Sequence, residues 1–339
     1  MEQEYKYMVC TRCYTFNQAP FIVDAMNGFT MQQTDFPFVC TIVDDASTDG
    51  EPEVIRHYLE EHFDLEDHAV VRNEETEDYV LCFAQHKTNK NCYFAVLWLK
   101  YNHHHKKGKY PYYAEWRNNA KYIALCEGDD YWIHPMKLQH QVDFMELHPD
   151  YSMCFTNALV SYDHLNKSAR VFNQIGENQE IHISELIDKW ICPTPSILYK
   201  ASITPLYPLK KKGIISGDWR LTLHCAACGK VWGMKTVMAC YRKTESTSSM
   251  SNTYSHRADE VFLRKVPILE GLDEYTNGKC HELISQYIRY YSKMGQLVSF
   301  KKKHGMLATV LLKPLTLMEM VWKRNIRPKL DKNAPTFSA

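Results

Sequence analysis

Apolar residues along the chain recur with two periods, and the alternation between those periods predicts the architecture. From Tyr5 to Tyr14 runs an apolar, β-prone segment that ends at Thr15-Phe16-Asn17-Gln18. Phe21, Ile22, Ala25, Met26 and Phe29 then follow at helical spacing. A short run, Phe38 to Val43, is apolar and rich in β-branched residues, as a buried parallel strand requires, and it stops abruptly at Asp44-Asp45-Ala46-Ser47-Thr48-Asp49-Gly50. That polar cluster supplies caps for a second helix, whose inner face is Val54, Ile55, Tyr58, Leu59 and Phe63. Ala69-Val70-Val71 reads as a third strand. The unit repeats at Lys121 to Cys126, again ending in acids, Glu127-Gly128-Asp129-Asp130, before Pro135 opens a helix with Leu138, Val142 and Met145 inward.

Strands alternating with helices imply an α/β sheet, parallel for the most part, whose ligands bind beyond the carboxyl ends of the strands. Two of the strands end in Asp-Asp. Residues 74–118 break the rhythm, with the apolar run Tyr93 to Leu99 and a His/Lys-rich stretch from Asn102 to Lys109. They read as an insertion, either a functional lid or a surface-packed excursion. From about Ala258 the pattern is helical, through Leu283, Ile284, Tyr287, Ile288 and Tyr291.

Composition narrows the class. The chain has 339 residues with 45% hydrophobic and 24% charged, an ordinary globular makeup. Its 40 basic and 40 acidic residues balance, which argues against a protein built to hold nucleic acid. The balance is uneven, because residues 301–339 carry nine Lys/Arg against Glu319 and Asp331. The N-terminus has no basic region followed by an apolar one, and Met306 to Trp322 is interrupted by Lys313, Pro314 and Glu319. Neither a secretory signal nor a membrane span is expected, and a cytoplasmic protein is. The twelve cysteines are scattered through apolar runs and read as reduced thiols. Cys10/Cys13 and Cys225/Cys228 have zinc-like spacing, but the first pair alternates across a strand, which suits chelation poorly.

Acids gathered at strand ends repel one another unless a cation intervenes. Asp129 and Asp130 offer the hard oxygens that magnesium or manganese takes alongside substrate phosphates. The wider arrangement resembles the family 2 glycosyltransferases of the GT-A fold, over roughly residues 5–250. Thr15-Phe16-Asn17-Gln18 is similar to the family's signature after its first strand, and Val43 to Gly50 to its second signature. Lys121 to Trp132 looks like the strand and metal motif, Gly217-Asp218-Trp219 like the later acidic motif, and Tyr241-Arg242-Lys243 like the end of the catalytic domain.

The resemblance implies a GT-A, Rossmann-like sheet flanked by helices in a catalytic domain of residues 1–255, with a helical, basic extension over 256–339. It implies an inverting enzyme that moves a hexosyl or hexosaminyl group from a nucleotide-diphosphate sugar, by family habit a UDP-sugar, to a hydroxyl of a glycan or lipid-linked acceptor. Thr15, Phe16, Asn17, Asp45, Ser47, Asp129 and Arg242 would hold the nucleotide, and Asp130, with Asp129, a divalent metal. Asp218 would be the general base, in preference to a plain helix N-cap before Leu221 and Leu223, though one residue can serve as both. Trp132, Pro193, Thr194 and Trp219 are the acceptor-side candidates. Two departures stand out: Glu127 occupies the first acidic place, leaving its part in the metal site open, and Thr244 stands where the family often has His. Glu245 to Asn252 reads as a mobile loop over the nucleotide. A sugar nucleotidyltransferase would need a Gly-rich loop near the N-terminus, and residues 8–20 contain no Gly. A catalytically silent binding module on the same fold is the remaining alternative. The tail's basic and apolar residues over 301–327 suit either anionic lipid at a membrane face or a solvated helix packed on the catalytic domain.

Overall fold

The computed structural model describes residues 4–103, 108–162, 168–172, 175–204, 217–243, 258–316 and 318. The expected loop over Glu245 to Asn252, and the part of the tail beyond Met318, lie outside them. The chain divides into two compact units. The first holds Met1–Glu180, Ile191–Thr204 and Lys230–Lys243, and the second Ile181–Trp190, Pro205–Gly229 and Thr244–Ala339. The division is interleaved along the chain, where the sequence suggests one boundary near residue 255.

In the first unit the strands are β1 (Tyr7–Thr15), β2 (Phe38–Asp44), β3 (Phe63–Asp64), β4 (Arg72–Glu75), β5 (Tyr79–His86), β6 (Cys92–Leu99) and β7 (Ala120–Leu125). They continue as β8 (Tyr131–Trp132), β9 (Tyr151–Ser161), β10 (Arg170–Val171), β11 (Gln179–Glu180), β12 (Ile197–Lys200) and β13 (Lys230–Arg242). All join one sheet of order β11-β13-β9-β12-β7-β1-β2-β6-β5-β3, with β10, β4 and β8 pairing at its flanks. Helices α1 (Ile22–Thr30), α2 (Glu51–His62), α3 (Tyr110–Asn118) and α4 (Lys137–Leu147) connect them. Every residue of β2 is buried, as its unbroken apolar run demands.

The sheet is mixed, which corrects the expectation of a mostly parallel one. Only β7-β1, β1-β2, β2-β6 and β9-β13 pair in parallel. Strands β3, β4, β5, β8, β10, β11 and β12 pair only antiparallel among the described residues. The rhythm of strand and helix is confined to the first part of the chain. Short links return the chain antiparallel from β4 to β5, from β5 to β6 and from β9 to β10, whereas β8, β11 and β12 meet antiparallel partners distant in the chain.

Two local expectations also fail. Ala69 and Val70 lie in a turn held by Asp67, whose carboxylate accepts from Ala69 N and whose carbonyl accepts from Val70 N and Val71 N. Such side-chain bonding competes with a strand ladder in so short an apolar run. Residues 74–118, read as an insertion, carry β5, β6 and α3, and β6 pairs with β2 from Phe38↔Cys92 to Asp44↔Trp98.

The second unit contains α5 (Ile183–Asp188), α6 (Gly217–Cys228), α7 (Ala258–Tyr275) and α8 (His281–Leu312). Ile268, Leu269 and Leu272 of α7 and Ile284, Tyr287, Tyr291, Met294 and Leu297 of α8 are buried, forming its core. A turn with Asn277 and Gly278 at positive φ links the two helices.

Candidate functional site

The parallel strands β7, β1 and β2 run in register, with Arg12 opposite Leu125 and Thr15 opposite Asp44. Their carboxyl ends therefore open at one edge, and the three loops that leave them are stitched together by backbone bonds. Asp45 N donates to Thr15 O at 3.0 Å, and Gly128 N donates to Tyr14 O at 3.1 Å. Gly128 is required by this approach, since a Cβ there would sit 2.7 Å from Thr15 Cβ and 2.5 Å from Gln18 Oε1.

Glu51, at the first turn of α2, ties the first two loops. Its fully buried carboxylate accepts from Thr15 Oγ1, from Gln18 N at 2.9 Å and from Ser47 Oγ at 2.8 Å. Burial raises its pKa, and these donors pull it back. Asn17, in the left-handed region at φ 53°, donates its N–H to Ser47 Oγ at 2.8 Å and accepts from Thr48 N at 2.8 Å. Phe16 beside it is half-buried. Thr15, Asn17 and Ser47 are thus brought together.

Asp45 is almost wholly buried, and both of its oxygens are engaged from the 74–118 stretch. His103 N donates to Oδ1 at 2.8 Å, and Lys109 Nζ lies 2.8 Å from Oδ2. Asn102 Nδ2 also donates to the Asp45 carbonyl at 3.0 Å. The carboxylate expected to read a base is here neutralised by a lysine.

In the third loop, Glu127 has a partner of its own. Arg12 Nη2 lies 3.0 Å from Oε1, and Tyr14 N donates to Oε2 at 3.0 Å. Asp130, 2% exposed, accepts at Oδ1 from Arg242 N at 2.9 Å. Arg242 lies between the Phe21 and Tyr131 rings, donates to Asp129 O at 3.0 Å and pairs with Asp24 Oδ2 at 2.5 Å. Burial, and then the charge of Glu127, push Asp129 up to about 6. Burial and the neighbouring Asp129 push Asp130 well above the carboxylate range. The charge of Arg242 pulls both down, but not enough to offset burial and the neighbouring acids.

The acceptor-side candidates belong to both units. Trp132 is buried, donates Nε1–H to Pro195 O at 2.9 Å and meets Phe29 edge-on, so its ring belongs to the core. Pro193 is buried and accepts from Ser196, while Thr194 is half-buried in a single 3-10 turn. In the second unit, Asp218 lies in the first turn of α6 and accepts from Trp219 N at 2.8 Å. Trp219 points into that unit, donating Nε1–H to Leu186 O at 2.7 Å, with Lys265 Nζ 4.9 Å from its ring.

Sequence reading missed Glu51, Arg12, Asp24, His103 and Lys109. A charge inside an apolar strand marks Arg12, and an acid directly after Gly50 marks Glu51. Their partners lie 115 and 36 residues away in the chain, a distance no local pattern bridges. The twelve cysteines form no disulfide, and among the described residues no group of three or more His, Cys, Asp or Glu is arranged to hold a metal ion.

No protein-family model matches the chain. The uncharacterized proteins Rv1520 of Mycobacterium tuberculosis (strain H37Rv) and Mb1547 of Mycobacterium bovis are 28% identical to it over 229 residues. The match takes in 68% of this chain and 57% of theirs, so the chain spans little more than half the length of these curated relatives. Among solved structures, S. aureus TarS 1-349 aligns at a TM-score of 0.55 and 12% identity, over 94% of this chain and 81% of that one. The same protein in complex with UDP aligns at 0.52 and 14% identity, over 90% and 75%. At such identities the likeness is one of fold alone.

Proposed function

We propose that the chain is an inverting, metal-dependent family 2 glycosyltransferase, acting in the cytoplasm, that transfers a hexosyl or hexosaminyl group from a UDP-sugar to a hydroxyl of a glycan or lipid-linked acceptor. The observation that carries this reading is the adjacent pair of half-buried Asp129 and buried Asp130, both with raised pKa values, at the common carboxyl edge of β1, β2 and β7 in a glycosyltransferase fold. Phe16 and the Thr15, Asn17 and Ser47 network would form the nucleoside side of the site. The UDP complex of the TarS neighbour supports a uridine nucleotide there.

The donor set fits a divalent cation. Magnesium and manganese take one or two carboxylates and complete their shell with substrate phosphates and water, so two aspartates suffice without a third protein acid. Such an ion supplies charge neutralisation for the departing nucleoside diphosphate. Glu127 stays with Arg12 in this reading and helps hold the loop. Arg242 holds Asp130 through its backbone N–H, and its guanidinium bridges the Asp129 carbonyl and Asp24.

In the transfer step, Asp218 accepts the proton of the acceptor hydroxyl as that oxygen bonds to the anomeric carbon. The bond from that carbon to the diphosphate oxygen breaks on the opposite face, the electron pair leaves with UDP, and the configuration inverts. Asp218→Asn is expected to bind UDP with manganese as the native protein does while transfer and donor hydrolysis fall about a thousandfold or more. Calorimetry and a UDP-release assay measure the two, and unchanged turnover would remove Asp218 from this role.

A further inference from the structure

Helix α8 changes character at Gly305, where φ is 84° and the helix is broken. Before the break its apolar side is buried, at Ile284, Tyr287, Tyr291, Met294 and Leu297. After it the apolar residues continue at helical spacing but face water. Met306, Leu307, Val310, Leu311, Leu312, Leu315 and Met318 are 45–79% exposed, and they make up half of all the exposed large hydrophobics among the described residues. Leu307 and Leu311 are four positions apart on the helix, which ends at Leu312 with Lys313 outside helical geometry, and Leu315 and Met318 continue the apolar run beyond it. Thr309, within this stretch, is buried and donates its hydroxyl to Gly305 O at 2.7 Å.

Cations flank the apolar stretch. Lys301, Lys302, Lys303 and Lys313 are exposed, and residues 301–318 contain no acid. No helix among the described residues is long and apolar enough to cross a membrane. An exposed apolar stripe bordered by lysines, too short to span, has the chemistry of a segment lying in the headgroup region of an anionic bilayer. A solvated surface helix would not present so contiguous an apolar patch.

We propose that residues 301–318 dock the protein peripherally on an anionic lipid surface. The leucines enter the acyl boundary, and the lysines pair with lipid phosphates. The inference stands apart from the catalytic reading, since it uses none of the residues of the strand-end site.

The full chain is sedimented with vesicles of phosphatidylcholine alone or of phosphatidylcholine with about one-third phosphatidylglycerol, an anionic surface. Binding is expected to the second and not the first, weakening as salt rises. Replacing Lys301, Lys302 and Lys303 together by Gln is expected to lower the partition constant about a hundredfold, at roughly fivefold per lysine. Leu307→Ser, Leu311→Ser and Leu315→Ser together are expected to lower it at least about tenfold. All six positions are exposed, so thermal unfolding should not move in either variant. Absence of binding to anionic vesicles, equal binding to neutral ones, or a stable dimer abolished by the leucine variant would each overturn the proposal.

Discussion

Removing one charge from the Asp129-Asp130 pair is expected to stabilise the cation-free protein. Burial and Glu127 raise Asp129 from its ordinary 3.8 to about 6. At about 1.4 kcal/mol per unit, the ionised form is disfavoured in the fold by roughly 3 kcal/mol. Between those two values the folded state binds the proton that the unfolded chain has already lost, so stability falls as pH rises through this window. Above pH 6 the penalty is complete, and below 3.8 it is absent. Asp129→Asn keeps the side chain's size and leaves the Asp129 carbonyl free to accept from Arg242. In chelator, urea unfolding at pH 7.5 should show the variant more stable by up to about 3 kcal/mol, with the gap closing towards pH 4. Manganese should raise the midpoint of the native protein, as any ligand of the folded state does, and raise that of the variant much less. A variant that is neutral or destabilised at every pH would show that Asp129 carries no uncompensated charge, and the case for a cation at this edge would lose its basis.

Gly128→Ala is expected to cost about 1–3 kcal/mol, because its Cβ would overlap Thr15 and Gln18, and to weaken UDP binding through the displaced loop; calorimetry and thermal unfolding check both. Lys137 is fully buried beside Gln141, and burial brings it down from 10.5 to about 7. Between these values only the unfolded chain holds the proton, so stability rises with pH, and the advantage expected for Lys137→Met at pH 7 should shrink steadily towards pH 10; parallel stability profiles would refute this. Lys109→Met leaves the buried Asp45 carboxylate without its cation and is expected to cost about 1–3 kcal/mol, most of it restored by Asp45→Asn in the same chain, as a double-mutant cycle would show.

Much of the strand-end site was legible because its residues are local. The run Phe38–Asp44 and the run Ala120–Leu125 are apolar throughout and then stop at acids, so the strands and their ends are written in consecutive residues. Helices α1, α2 and α4 have periodic apolar faces, and their inward residues, such as Leu138, Val142 and Met145, are buried as that periodicity requires. What hydropathy does not encode is pairing direction. Strands β5 and β12 look no different from parallel strands: the short link to β6 sets the direction of β5, while β12 meets partners tens of residues away that no local pattern names.

The sequence by itself determined the chemistry available at the carboxyl edge: Thr15, Asn17, Asp45, Ser47, Asp129 and Asp130 follow directly on predicted strands. Only the tertiary structure decided what each group is free to do. It gave Glu127 to Arg12, Asp45 to Lys109 and His103, and Arg242 to Asp24, and it turned Trp132 and Trp219 inward. It left Asp129 half-buried beside the buried Asp130, with both pKa values raised. The physical reason is that a side chain's type follows from its codon, whereas its charge compensation and solvent access depend on partners brought together across tens to hundreds of residues of chain.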